Sequence, residues 1–309
     1  MLINKAIIVI ILSVLLYVII AVFSDFTQFT VNLQNMNLSL LPLILCLIIA
    51  SITIRSLRQH YLLKKLQINI SRKESWKLYV SGLSMLITPG SSGELIKSHF
   101  LQKNYDKSIS KTIPLVFIER FQDFLAIVFI LSISLIIIWS IEALIVTIIS
   151  AVILSSISIL ILQKKILFWL QHKLERITFF QKYFSNDNEF YSSLFQLFQS
   201  KIMIISFLFS VSSIFLDGLA AYLGIISIIP EFNFIEAIQK FFTSILAGFF
   251  SFLPAGIGVT EITFLSMLQK DGIDTAQSAS SVLYVRLTTL WFMTLIGFLF
   301  LKTMYKKNS

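Results

Sequence analysis

Apolar runs long enough to cross a bilayer, separated by short polar stretches, dominate this chain. About 20 helical residues cover about 30 Å of hydrocarbon. Residues 6–23 (AIIVIILSVLLYVIIAVF) follow a single Lys5. They are long for the apolar core of a signal peptide, and no A-x-A cleavage site follows, so a first transmembrane helix is expected. A polar loop is expected at 25–37, then a second span from Leu38 to Ile54. Further spans are expected at 112–138, up to Leu162 after a tight turn near Trp139 and Glu142, at 202–226 and at 277–301. Two apolar segments break the rhythm. Leu78–Thr88 is half a bilayer long and ends in Pro89-Gly90-Ser91-Ser92-Gly93-Glu94. The segment after 226 runs to Leu253, breaks at Pro254-Ala255-Gly256-Ile257-Gly258 and restarts near Glu261. Each is expected to be a re-entrant helical hairpin. The predicted fold is all-α, a polytopic membrane bundle of about six spans and two hairpins in a single domain, 1–309.

Composition agrees, with 56% apolar and only 13% charged residues, where soluble domains carry about 25% charge. Cys46 lies inside an apolar run, so neither a disulfide framework nor a cysteine metal site is expected. His60, His99 and His172 lack metal-ligand spacing, and neither metal nor cofactor is expected. The net charge of +9 does not mark a nucleic-acid binder, because the basic residues flank apolar segments, as cytoplasmic loops do. The stretch 55–77, with Arg55, Arg58, Lys64, Lys65, Arg72, Lys73 and Lys77, is therefore read as a cytoplasmic loop. Residues 163–200 are read as an amphipathic cytoplasmic connector on the membrane surface. This threading puts both termini inside. All 25 lysines and arginines except Lys240, Lys270, Arg120 and Arg286 then face the cytoplasm.

The two broken segments have matching surroundings. Arg120 lies 26 residues beyond Glu94, and Arg286 lies 25 beyond Glu261. The charge rule puts the first hairpin on the inside and the second on the outside. An inverted-topology repeat is expected, of about 38–140 and 201–301, an arrangement many secondary transporters share. There the substrate site lies near the midplane, where discontinuous helices meet. Helix N-termini restarting at Ser92-Gly93 and Gly258-Val259 would offer unpaired N–H groups to an anion such as a phosphate. A plainer reading stands beside this: Ser91-x-x-Glu94 is also a capping box, and Gly258 and Glu261 have the same spacing.

Glu119, Arg120, Asp123, Asp217 and Arg286 fall within spans, where a charge costs on the order of 2.5–3.5 kcal/mol on insertion scales. They should face the bundle interior and pair, Arg120 with Asp123 and Arg286 with Glu261 or Asp217. The pairs either staple the bundle or free the arginines to grip a phosphate. Five deep acids (Glu94, Glu119, Asp123, Asp217, Glu261) against two arginines would leave carboxylates to carry protons. Lys97 and His99 are expected at the cytoplasmic mouth.

The motifs TPGSSGELIKSHFL (88–101), ERFQD (119–123), PAGIGVTE (254–261) and the helix bearing Arg286 resemble the transmembrane region of the lysylphosphatidylglycerol synthase family, also called flippase-like membrane proteins. That family often has arginine where this chain has Lys97 and Thr260. The resemblance implies movement of an amphiphilic lipid or lipid-linked sugar between leaflets of the cell membrane. Its synthases carry a soluble aminoacyltransferase domain after the membrane part, whereas this chain reaches only Ser309, so no transferase activity is expected. The partners expected are membrane lipids, anionic or bearing lipid-linked phosphate. Two rival readings remain: a non-catalytic membrane partner of a lipid or glycan synthase, and a membrane-surface glycosyl- or aminoacyl-transferase. The latter would need a catalytic segment, for which 163–201 offers no nucleotide or metal motif.

Overall fold

The computed structural model describes residues 2–88, 92–163 and 187–305, and its regular elements are all helical. They are α1 (Leu2–Phe23), α2 (Phe26–Gln34), α3 (Leu41–Lys65), α4 (Arg72–Leu83), α5 (Ile96–Tyr105), α6 (Ile109–Ile137), α7 (Ile141–Leu162), α8 (Asp187–Leu197), α9 (Ser200–Ile226), α10 (Phe234–Phe250), α11 (Val259–Lys270), α12 (Thr275–Arg286) and α13 (Phe292–Tyr305). Short 3₁₀ turns at Leu38–Leu40 and Ser92–Leu95 lead into α3 and α5, and a π-helical turn at Leu287–Trp291 joins α12 to α13. Among the described residues, five stretches are long and apolar enough to cross a membrane: Leu38–Lys65, Ile109–Ile137, Ile141–Leu162, Ser200–Ile226 and Thr275–Lys302. A sixth is present if the pair Ser13–Phe23 and Phe26–Gln34, bent by 106°, is one span. Their outward faces carry large exposed apolar side chains such as Val18, Ile136, Val152 and Leu299. Such a belt suits lipid and would be an aggregation hazard in water.

Three expectations need correction. Residues 25–37 are not simply a loop. Asp25 caps α2 by accepting from Thr27 and Gln28 N–H groups, and the helix packs Phe29 among Ala21, Ala276 and Ala279. The second span does not stop at Ile54, since α3 continues to Lys65 and carries Arg55 and Arg58 into the bundle. Ser51, Arg55 and Arg58 share one face of α3 (i, i+4, i+7), and that face meets polar groups on α9 and α6, which offset the cost of burial. Lys97 is not at a mouth either; it is fully buried, while His99 is exposed. Of the 163–200 connector, 164–186 lies outside the described residues, and α8 follows it with Leu194 and Leu197 packed beside Leu62 of α3 and Leu66 just past its end.

The ends of the bundle can be assigned from hydrogen bonds. At one end, Gln196 of α8 donates to the Lys65 carbonyl at 2.6 Å, and Ser108, the N-cap of α6, bonds Glu189 of α8. At the other, Asn37 N–H donates to the Ser227 carbonyl at 2.8 Å, and Lys270 pairs with Glu142 at the start of α7. The α4–α5 segment links Lys65 to Ser108 and therefore opens at the first end. The α10–α11 segment links Ile226 to Thr275 and opens at the second. Helices α4, α5 and α11 have 12, 10 and 12 residues. That is about 15–18 Å each, and the 17 residues of α10 cover about 25 Å, all short of a bilayer. Two hairpins thus enter the bundle from opposite ends and stop inside it.

Close backbone approach holds them there. A Cβ on Gly297 of α13 would lie 2.2 Å from the backbone nitrogen of Ser84, at the end of α4. A Cβ on Gly248 of α10 would lie 1.9 Å from Thr260 Oγ1, which fixes α11 tightly against α10.

Candidate functional site

The tips of the two hairpins share a cavity of about 160 Å³. Leu86 and Thr88 line it from the first. Ile245, Phe249, Leu253, Ala255, Gly256 and Thr260 line it from the second, and Arg286 and Leu290 from the last span. Arg286 lies 11 residues into α12, about 17 Å along the helix from its start at Thr275 and so near mid-depth. Arg120 lies equally far into α6 from the opposite end. Pro89, Gly90 and Ser91 lie outside the described residues.

The second tip is built by backbone that only a short, irregular loop allows. Phe252, Ala255, Gly256 and Gly258 all have positive φ, at 54°, 54°, 66° and 92°. This carries the chain from α10 past Pro254 and back into α11. Gly256 must lack a side chain, because a Cβ there would meet the Gly248 backbone at 2.9 Å. The restart at Gly258 is capped from within: Glu261 Oε2 accepts from the Gly258 N–H at 2.7 Å. The other oxygen, Oε1, accepts from Arg286 Nε at 2.6 Å, and Arg286 Nη2 donates to the Ala255 carbonyl at 3.0 Å. Glu261 is therefore both a cap and an ion-pair partner, and Arg286 ties both sides of the break together. Tyr17 of α1 donates to Glu261 Oε1 at 3.3 Å, and the Trp291 indole donates to the Tyr17 hydroxyl at 3.0 Å.

At the first tip, Gly93 N–H donates to Thr88 Oγ1 at 2.7 Å, and a Cβ on Gly93 would meet Met85 and Thr88 at 2.7 Å. Ser92 opens the 3₁₀ turn that contains Glu94. The Glu94 carboxylate points into the bundle, to Lys97 Nζ at 3.0 Å and Arg120 Nη1 at 3.4 Å. The expectation of unpaired amides at Gly93 and Gly258 is thus corrected. A threonine hydroxyl takes one and a glutamate the other, because a helix restart buried in protein needs a local acceptor.

Beyond Glu94 the charges form a network. Lys97 Nζ also reaches Glu119 Oε2 at 2.5 Å, and Arg120 Nη2 reaches Asp123 Oδ2 at 3.1 Å. Arg58 Nη1 bonds Asp123 and Ser210, and Arg55 pairs with Asp217. With Arg286–Glu261, five deep carboxylates face five cations: Arg55, Arg58, Lys97, Arg120 and Arg286. The expected surplus of carboxylates is overturned, since Arg55, Arg58 and Lys97 supply the missing charge. Asp217 takes Arg55, which leaves Glu261 as the partner of Arg286. Arg120 is the least enclosed cation in the network, with 29% of its side chain exposed, and it lies one turn from Phe124, which packs against the cavity residue Phe249 at 5.1 Å. Buried groups without a hydrogen-bond partner among the described residues include Arg58 Nη2, Arg120 Nε and the Tyr79 hydroxyl on the donor side, and Glu119 Oε1 and Asp217 Oδ1 among the acceptors. No group of three or more potential metal ligands occurs among the described residues.

Four participants escaped the sequence reading: Arg55, Arg58, Tyr17 and Trp291. The arginines did leave a signal. The apolar run Leu38–Ile54 has 17 residues, short of the roughly 20 that a span needs, so its helix had to continue through them. Tyr17 and Trp291 gave none, since each is one aromatic in an apolar run.

No curated protein matches the chain. A family profile described as Lysylphosphatidylglycerol synthase TM region matches residues 10–297, nearly the whole length. With five membrane-length helices and the shared motifs in place, the chain belongs to that family, as an integral membrane, lipid-related protein.

Proposed function

We propose that this protein is a flippase-like transporter that moves a phospholipid or a lipid-linked phosphate between the leaflets of the cell membrane, without enzymatic activity of its own. One observation carries the reading: two hairpins that enter from opposite ends meet at one cavity with a buried arginine in its wall. Broken helices meeting near mid-depth are the setting in which transporters hold polar cargo. On this reading the two units are inverted copies, both termini lie in the cytoplasm, and Arg286 and Arg120 flank the path of the head group. The unpartnered donors on Arg58, Arg120 and Tyr79 are compatible with an anionic group nearby.

A second reading has its own support. All five deep cations are ion-paired, as in a rigid scaffold, so a non-transporting partner of a lipid or glycan synthase also fits. Reconstitution separates the two. The transporter reading expects liposomes containing the purified chain to move fluorescent anionic phospholipid across the bilayer, as read by dithionite quenching. It also expects that rate to fall by about tenfold or more in Arg286→Ala, the scale of one lost charge-assisted contact. Unchanged leaflet distribution, with a synthase co-purifying, would favour the scaffold.

A further inference from the structure

A second amphiphilic cavity lies at the end of the bundle where the α10–α11 hairpin opens, away from the tips. Its polar part, about 320 Å³, lies between the α6–α7 turn and the open end of the hairpin, lined by Glu142, Glu236, Gln239, Lys240, Lys270 and Asp271. Its apolar part, about 370 Å³, is a groove between α6, α9 and α10 that includes Phe129, Ile133, Phe215 and Ile235. Each volume falls within the range of small-molecule sites. The two parts meet at a single side chain. Gln239 lines the polar pocket, and its amide donates to Ser134 Oγ of the groove at 3.4 Å and to the Ile138 carbonyl of the pocket at 2.9 Å. The charged pocket and the apolar groove thus lie side by side, with the buried Gln239 side chain between them.

The charges select the head group. Lys240 pairs with Asp271 at 2.7 Å, and Lys270 pairs with Glu142, which also accepts from Ser140 Oγ at 3.0 Å. Glu236 is half-buried, and none of the described residues offers its carboxylate a hydrogen bond or an ion pair. Three carboxylates against two lysines disfavour a purely anionic head group. A phosphate can approach the ammonium of Lys270, 64% exposed, while a ligand amine faces Glu236 in the wall of the same pocket. Trp139, 71% exposed on the rim, has the position of an interfacial anchor. We propose that this cavity binds a zwitterionic, amine-bearing phospholipid, with its head group against Glu236 and Lys270 and an acyl chain in the groove beside Ile133. The site stands apart from the central cavity and does not depend on transport through it.

Native mass spectrometry of the full chain, released from micelles containing equal phosphatidylethanolamine and phosphatidylglycerol, tests this. The intact chain should retain the ethanolamine lipid about fivefold over the glycerol lipid, the scale of one semi-exposed charge contact. Glu236→Gln should remove that preference with the unfolding temperature unchanged. Ile133→Trp, which fills the groove, should lower retention of both lipids. Equal retention of the two lipids by the intact chain, or a preference untouched by Glu236→Gln, would mean annular lipid only and overturn the proposal.

Discussion

Arg286 Nε and Glu261 Oε1 lie 2.6 Å apart across the break of the second hairpin, 25 residues distant in sequence and both almost wholly buried. The same carboxylate caps Gly258, and the same guanidinium holds the Ala255 carbonyl. One ion pair therefore fixes the shape of the tip as well as its charge.

Removing either partner leaves the other charge buried without its counter-ion. Arg286→Met should lower stability by about 3–5 kcal/mol, the usual cost of an orphaned buried charge, and Glu261→Met should do about the same. The double substitution should recover most of that loss, because a well-packed apolar pair can replace a buried ion pair. Unfolding of the three variants in mild detergent, analysed as a double-mutant cycle, measures the coupling.

Lys97 and Arg120 should differ sharply in their response to the same change. Lys97 is fully enclosed and bridges Glu94 and Glu119, so Lys97→Met leaves two carboxylates with far less neutralising charge. Arg120 is 29% exposed, and Asp123 keeps Arg58 when Arg120 is removed. The expected order is a loss of about 3–5 kcal/mol for Lys97→Met and a smaller one for Arg120→Met, read by the same unfolding assay.

Gly248→Ala should destabilise the second hairpin by about 1–3 kcal/mol, the usual range for over-packing. The added Cβ collides with Thr260 Oγ1. Thr260→Ala in the same chain should restore much of the loss. Gly297→Ala allows no such rescue, because its Cβ meets the backbone of Ser84. Thermal unfolding of the three variants tests this difference.

Much of this architecture was legible from apolar run length and from prolines and glycines. The half-length segment before Pro89 and the Pro254–Gly258 break gave both hairpins, and basic flanks gave their opposite directions. Run length misled at Ile54, where a helix goes on through Arg55 and Arg58. A polar residue ends an apolar run in sequence, but it ends a span only when no partner waits inside, and Asp217 and Asp123 lie on helices far along the chain. For the same reason the charge balance at the site was invisible, because Lys97 reads as a flank residue until α5 folds back beside Glu119. The Arg120–Asp123 contact was readable because both ends lie on one helix, three residues apart. Glu261 as a cap was readable too, although its second bond to Arg286 had Asp217 as a competitor.

The two hairpin tips meet inside the bundle, at one cavity. Cys46 is the chain's one cysteine, and it is exposed, so Cys46→Ser gives a clean background. Thr88→Cys with Leu253→Cys then places one thiol on each tip at the rim of the shared cavity. Treatment of this chain in membranes with a short bifunctional thiol reagent should link the two positions, seen as a single new fragment pattern after proteolysis between them. Efficient labelling of each cysteine alone, with no link between them, would contradict the account.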